Sequence, residues 1–188
     1  MDGFAAGIDE TEEKRAAVTA AAGRASGSYE DFVRRHFHPL EKSLSLITFD
    51  AGLAADAAQE ACLRLYLRWD DVDKLDDPVA WLYRVGINRC RDYRRQLKRA
   101  TRLFERLSTE AGRTGAEGAE PEQQWAPDAD FAGLVRGLPK QQRIAAVLFY
   151  QADLSTKEMA RVMQISESAV KSHLQRAREA LRPLVEVD

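Results

Sequence analysis

The chain has few of the residues that most chemistry requires. It carries two cysteines and three histidines in 188 residues. Cys62 and Cys90 stand in no metal-ligand spacing, and in a reducing compartment they read as free thiols rather than a disulfide. A redox role for either is left open. His36 and His38 are next-but-one on a predicted helix, so their rings diverge and cannot chelate one ion. No Ser-His-Asp order, metal-binding cluster or glycine-rich phosphate loop is present. The expectation is a protein that is not an enzyme and has no metal or cofactor. No apolar run approaches the roughly 18 residues that span a bilayer. Residues 1–27 lack the continuous apolar core of a secretory signal. The chain is therefore expected to be cytoplasmic, without membrane insertion. Net charge is also lacking, at −2 for the whole chain, which argues against a general nucleic-acid coat. The distribution of that charge is then the informative quantity.

What is present is helical periodicity in two blocks. Residues 1–27, rich in Ala, Glu and Gly, read as a mobile N-terminal extension or a weak helix. From Ser28 to Arg106, Phe32, Val33, Phe37, Leu40, Leu44 and Ile47 follow helical spacing, with Pro39 expected to interrupt the run. A second helix is predicted over Ala54–Trp69, with Cys62, Leu63, Leu65 and Tyr66 among its apolar positions. Acids fill the segment 70–77, and Pro78 suits the first turn of a third helix that runs beyond Arg102. Residues 107–130 lose periodicity and read as a flexible acidic linker, with Glu110, Glu117, Glu120, Glu122, Asp128 and Asp130 against Arg113. Helical pattern returns over 131–188. No strand pairing is credible. The predicted fold is all-α, two small helical domains (28–106 and 131–188) joined by the linker.

Two patterns carry chemistry. In the second block, Ser155 can cap a short helix, with Glu158 three residues later as in a capping box. Gln164 occupies a turn position where glycine is common. Ser166 can cap the next helix, whose Val170, Leu174, Ala177 and Leu181 make one apolar stripe. The opposite face carries Ser168, Lys171, Ser172, Gln175 and Arg176, with Arg178 flanking. This is a helix-turn-helix whose second helix suits a DNA major groove, where Lys and Arg meet guanine edges or phosphates and Gln meets adenine. In the first block, Arg84, Asn88, Arg91, Arg95, Lys98 and Arg102 recur at steps of four, three, four, three and four. They line one face of a helix for about five turns, and between Arg84 and Arg106 only Asp92 and Glu105 oppose the cations. Such a row tracks a phosphate backbone. Trp81 and Tyr83 precede it, and Trp81 admits two roles, core packing and stacking on unpaired bases.

Together these segments resemble RNA polymerase sigma factors of the compact extracytoplasmic-function (ECF) type. Asp56-Ala-Ala-Gln59-Glu60 is similar to the family's Asp-Leu-x-Gln-Glu signature of region 2. Pro78-Val-Ala-Trp81-Leu82-Tyr83-Arg84, followed by Asn88, Asp92 and Arg95, resembles the region 2 helix that melts and reads the −10 element. Leu138-Pro139, Gln142-Arg143, Asp153-Leu-Ser and Val170-Lys-Ser-x-Leu-x-Arg-Ala-Arg178 resemble region 4, which reads the −35 element. The resemblance covers roughly 28–184 and leaves no room for a region 3 domain. It implies that Asp56, Gln59 and Glu60 dock on core RNA polymerase (β and β′ subunits). It implies that Trp81, Arg84, Asn88, Arg91, Arg95 and Lys98 bind −10 DNA, with loop 70–77 receiving an unstacked base. It implies that Ser168, Lys171, Ser172, Gln175, Arg176 and Arg178 bind −35 DNA. The exposed apolar surfaces would also suit an anti-sigma factor. Ala57 and Ala58 stand where the family has larger aliphatics, which predicts thinner packing under the docking helix. Ala169 and Thr156 replace a frequent Thr and aromatic, which puts the promoter preference outside what the resemblance implies. A stand-alone helix-turn-helix regulator is the alternative, but it leaves the Asp56/Gln59/Glu60 helix and the arginine row unexplained.

Overall fold

In a computed structural model, residues 28–110 and 129–185 are described. The N-terminal extension 1–27 and most of the acidic linker (111–128) lie outside the described residues. Among the described residues there are seven α-helices and no strand: α1 Tyr29–Thr48, α2 Ala51–Tyr66, α3 Pro78–Glu110, α4 Ala129–Arg136, α5 Lys140–Tyr150, α6 Thr156–Met163 and α7 Glu167–Val185. A 3-10 helix, Trp69–Lys74, joins α2 to α3. The all-α expectation is met.

Local sequence sets the helix ends. The Ser28 hydroxyl accepts the Asp31 N–H at 3.3 Å to start α1, and Asp50 accepts the Leu53 N–H at 2.9 Å to start α2. The Asp77 carboxylate accepts the Ala80 N–H at 2.8 Å to start α3. Each such cap contributes about 1 kcal/mol. Pro39 does not interrupt α1, which runs unbroken for 20 residues. Its ring lies on the exposed side of the helix, where the lost hydrogen bond costs least. The Pro39 carbonyl is meanwhile satisfied by the buried Ser43 hydroxyl at 2.8 Å. Phe49 ends α1 in the left-handed region (φ 53°), its N–H returning to the Ser45 carbonyl.

The first half is a three-helix stack. Leu40 and Leu44 of α1, Leu65 of α2 and Leu82 and Ile87 of α3 are fully buried between the helices. Close approach of α1 and α3 requires Gly86, because a Cβ there would lie 2.9 Å from a Leu44 methyl. Ala57 and Ala58 are wholly buried. They lie on the inward face of α2 with Leu53, Ala54, Ala61 and Leu65. In the second half, Val135, Ile144, Leu148, Leu154 and Met159 pack with the predicted stripe Val170, Leu174, Ala177 and Leu181.

Candidate nucleic-acid and polymerase interfaces

The helix-turn-helix is built from its sequence as predicted. Ser155 accepts the Glu158 N–H, and Glu158 returns to the Ser155 N–H at 2.7 Å and to its hydroxyl at 2.6 Å. Burial raises the Glu158 carboxyl above its ordinary range, and the Ser155 bonds act against that shift. Gln164 takes φ 58°, ψ 44°, the left-handed turn conformation. The Ser166 hydroxyl then accepts the Ala169 N–H at 3.2 Å to open α7. With the stripe facing inward, Ser168, Lys171, Ser172, Gln175 and Arg176 are exposed together on the outer face of α7. Three of them have local side-chain partners. The Ser168 hydroxyl pairs with the Ser166 hydroxyl at 2.9 Å, the Ser172 hydroxyl donates to the Ser168 carbonyl, and the Gln175 amide donates to Glu179. Arg178 stands apart. It is half-buried, donates to the Tyr150 hydroxyl at 2.9 Å and lies 5.2 Å over the Phe149 ring. Its guanidinium fastens α7 to α5.

The row on α3 is divided by burial. Trp81, Arg84, Asn88 and Arg91 are half-buried, whereas Arg95, Lys98 and Arg102 are exposed. Arg91 bonds Asn88 at 3.4 Å, and Arg95 lies 3.8 Å from Asp92. Trp81 is half-buried and packs partly against the core. Tyr83 goes to the core at 2% exposure. Trp81 instead lines a cavity of about 300 Å³ with Lys74, Leu75, Asp77 and Arg84, and Arg68 lies over its ring at 5.9 Å. An aromatic wall beside cations, at the foot of the 3-10 segment, suits an unstacked base.

The α2 face is the largest surprise. Asp56 and Gln59 are exposed, and Glu60 holds Arg64 at 2.8 Å. The same side of α2 and its C-cap carries Leu63, Tyr66 and Leu67, exposed by 54%, 57% and 74%. Periodicity predicts Leu63 and Tyr66 as apolar positions of the helix. It does not reveal that they continue the acidic face outward rather than filling the core. The signal was there in register: Cys62 and Leu65 already complete the inward stripe, so Leu63 and Tyr66 fall outside it. Tyr66 is braced edge-on by Tyr29, which also donates to the Cys62 carbonyl. Exposed apolar side chains bordered by charge have the composition common at protein-binding surfaces.

Both thiols are buried. Burial pushes both Cys62 and Cys90 up to about 11. Among the described residues no His/Cys/Asp/Glu group could hold a metal ion, and no helix is long and apolar enough to cross a membrane.

Comparison with known proteins agrees with this geometry. The model for Sigma-70 region 2 matches residues 32–100, and that for Sigma-70, region 4 matches 129–181. The ECF RNA polymerase sigma factor SigM of Mycobacterium tuberculosis (strain H37Rv) is 31% identical over 185 residues, covering 96% of this chain and 90% of that one. The RNA polymerase sigma factor CnrH of Cupriavidus metallidurans is 31% identical over 179 residues, covering 89% and 93%. The solved structure of CnrH in complex with the cytosolic domain of CnrY superposes with a TM-score of 0.57 at 26% identity, covering 91% and 97%. The sigma factor RpoE in complex with the anti-sigma factor NepR from Bartonella quintana shares the fold, with a TM-score of 0.62 at 20% identity over 85% and 98%. With both regions matched in order and close relatives aligned over nearly their full length, the chain belongs to the ECF family of RNA polymerase sigma factors.

Proposed function

We propose that this sigma factor docks on the β′ and β subunits of core RNA polymerase through α2, reads −35 DNA with the outer face of α7, and holds melted −10 DNA along α3. The observation that carries the reading is the α2 ridge. Asp56, Gln59 and Glu60 run into the exposed Leu63, Tyr66 and Leu67, a surface that a stand-alone DNA-binding regulator has no use for. The polar members fix register and on-rate, and the apolar members supply affinity. On α7, Lys171 and Arg176 meet phosphates or guanine edges, while Ser168, Ser172 and Gln175 adapt to base edges. Arg178 contributes by holding that helix in place. On α3, Arg84, Asn88, Arg91, Arg95 and Lys98 track the strand, and Trp81 stacks on an unstacked base beside Lys74 and Asp77. Unstacking costs a few kcal/mol, offset by these contacts and by polymerase binding. One tether lets two weak DNA contacts act as one strong contact. The work is done in the cytoplasm without chemistry of its own, and the α2 ridge is also the surface that an anti-sigma factor would cover.

The test is co-elution of the purified full chain with core RNA polymerase on a sizing column. Wild type is expected to co-elute, and Gln59→Ala/Glu60→Ala and Leu63→Ala/Leu67→Ala to weaken it, each keeping its helical circular dichroism. A wild-type chain that stays folded and runs apart from polymerase would leave a DNA-binding regulator as the better reading.

A further inference from the structure

Lys140 belongs to none of the surfaces described above, and its surroundings are charged with one sign. It is the first residue of α5 and is exposed. The end of α1 fixes what lies around it. Phe49 sits between two guanidinium groups, Arg136 at 4.6 Å and Arg143 at 4.8 Å from its ring. Arg143, three residues after Lys140, also donates to the Ile47 carbonyl at 3.4 Å. From α3, Arg94 donates to the next carbonyl, that of Thr48. The last turn of α1 thereby holds the first turn of α5 beside α3. Arg91, Arg94, Arg95 and Lys98 follow one another at helical spacing on α3, and all four act on the Lys140 ammonium.

Among the described residues, the charges that act on Lys140 are all positive. Asp92, the acid in the same stretch of α3, lies 3.8 Å from Arg95. Arg143 Nε is buried without an acceptor. Pro139 stands at the N-cap of α5 and no side chain caps the helix there, so the positive end of its dipole adds to the same field. Two consequences follow for the amine. Burial first, then the four cations, hold its pKa below the ordinary lysine range. A lowered pKa leaves more of the amine neutral, the form that acts as a nucleophile. The same cations attract a small dianion and stabilise negative charge that develops on it.

We propose that Lys140 is an acylation site whose reagent is a small acyl phosphate, drawn to the amine by the cations of α3. The neutral Nζ attacks the acyl carbonyl carbon. An N–C bond forms, and the bond from that carbon to the bridging phosphate oxygen breaks. Its electron pair leaves on inorganic phosphate, and the surplus proton on nitrogen passes to water. Nothing is oxidised or reduced. The product is a neutral amide, so the cluster loses one positive charge. Neither the α2 ridge nor the outer face of α7 takes part, so the step is independent of polymerase docking and of duplex reading.

The test incubates the full chain with acetyl phosphate in mildly alkaline buffer and follows each lysine by peptide mass spectrometry. Lys74, whose ammonium is held by Asp71, is the internal reference. Lys140 is expected to acetylate at least about fivefold faster than Lys74, and that preference to vanish in urea. Arg95→Gln/Lys98→Gln changes two exposed positions, so the variant should keep its helical circular dichroism while its Lys140 rate falls by about half or more. The N-hydroxysuccinimide ester of acetic acid carries no charge and reads the amine alone. Its preference for Lys140 should be smaller than that of acetyl phosphate. A Lys140 rate no higher than that of Lys74, a preference that persists in urea, a folded double variant with an unchanged rate, or equal preference with both reagents would overturn the assignment.

Discussion

Gln164→Gly should make this protein more stable. Gln164 ends α6 at φ 58°, ψ 44°, with its N–H returning to the Ala160 carbonyl, and its side chain is exposed. A residue with a Cβ is strained by about 1–2 kcal/mol in this region, and glycine is not. Against that, glycine loses more backbone entropy on folding, about 0.4–1 kcal/mol. The difference leaves a net gain of about 0.5–1 kcal/mol. For a domain of this size each kcal/mol moves the midpoint by about 4–8 °C, so the transition of the second half should rise by about 2–8 °C. Thermal circular dichroism or calorimetry of the full chain reads it, with Gln164→Ala as the control that keeps the strain and should gain nothing. Affinity for duplex DNA should not change, because Gln164 is not on the α7 reading face. A Gln164→Gly midpoint at or below that of wild type would refute the claim that the turn is strained.

Three further outcomes are expected. Cys62 and Cys90, with pKa values of about 11, should react with N-ethylmaleimide at pH 8 about 100-fold slower than free thiols on ionisation alone, and at ordinary rates in urea; fast labelling of the native chain would reopen a redox role. His36 is half-buried, with its Nε2 buried and unpartnered, and burial, then Arg35, holds its pKa below the usual 6.5. The unfolded chain therefore takes up protons first, and stability present above pH 6.5 should be lost as pH falls toward the depressed folded value. His36→Gln should flatten that part of the stability profile, and an unaltered slope would remove His36 from the account. Lys171→Ala and Arg176→Ala, if each releases one phosphate contact, should lower the slope of log affinity against log salt by about 0.9 apiece; an unchanged slope would assign them to bases or to neither.

The parts of the fold that were legible in the sequence are those fixed by residues close in the chain. The Ser155–Glu158 box, the Ser166 cap, the left-handed Gln164 and the stripe from Val170 to Leu181 are all set by spacings of a turn or less. Pro39 was misread because its cost depends on which side of α1 its ring faces, and periodicity placed no neighbour to settle that. Trp81 stayed ambiguous for a related reason: the cavity it lines is shared with Arg161, eighty residues away. The grip of Arg136 and Arg143 on Phe49 has no sequence signature at all, since nothing local to Phe49 indicates an arginine nearly a hundred residues on. The α2 ridge lies between these cases, visible in register once the inward stripe is known to be full.

The division of labour on α7 bears on how such proteins diversify. Folding uses Val170, Leu174, Ala177 and Leu181, whereas the outward set of Ser168, Lys171, Ser172, Gln175 and Arg176 supports nothing beneath it. Substitutions on that face should carry little folding penalty, so, with the face reading DNA as proposed, a duplicated copy can drift to a new promoter element without passing through an unfolded ancestor. The helix is in effect a socket with an interchangeable key. Transplanting those five side chains from a relative should carry over the relative's operator preference, with the host domain still melting as before.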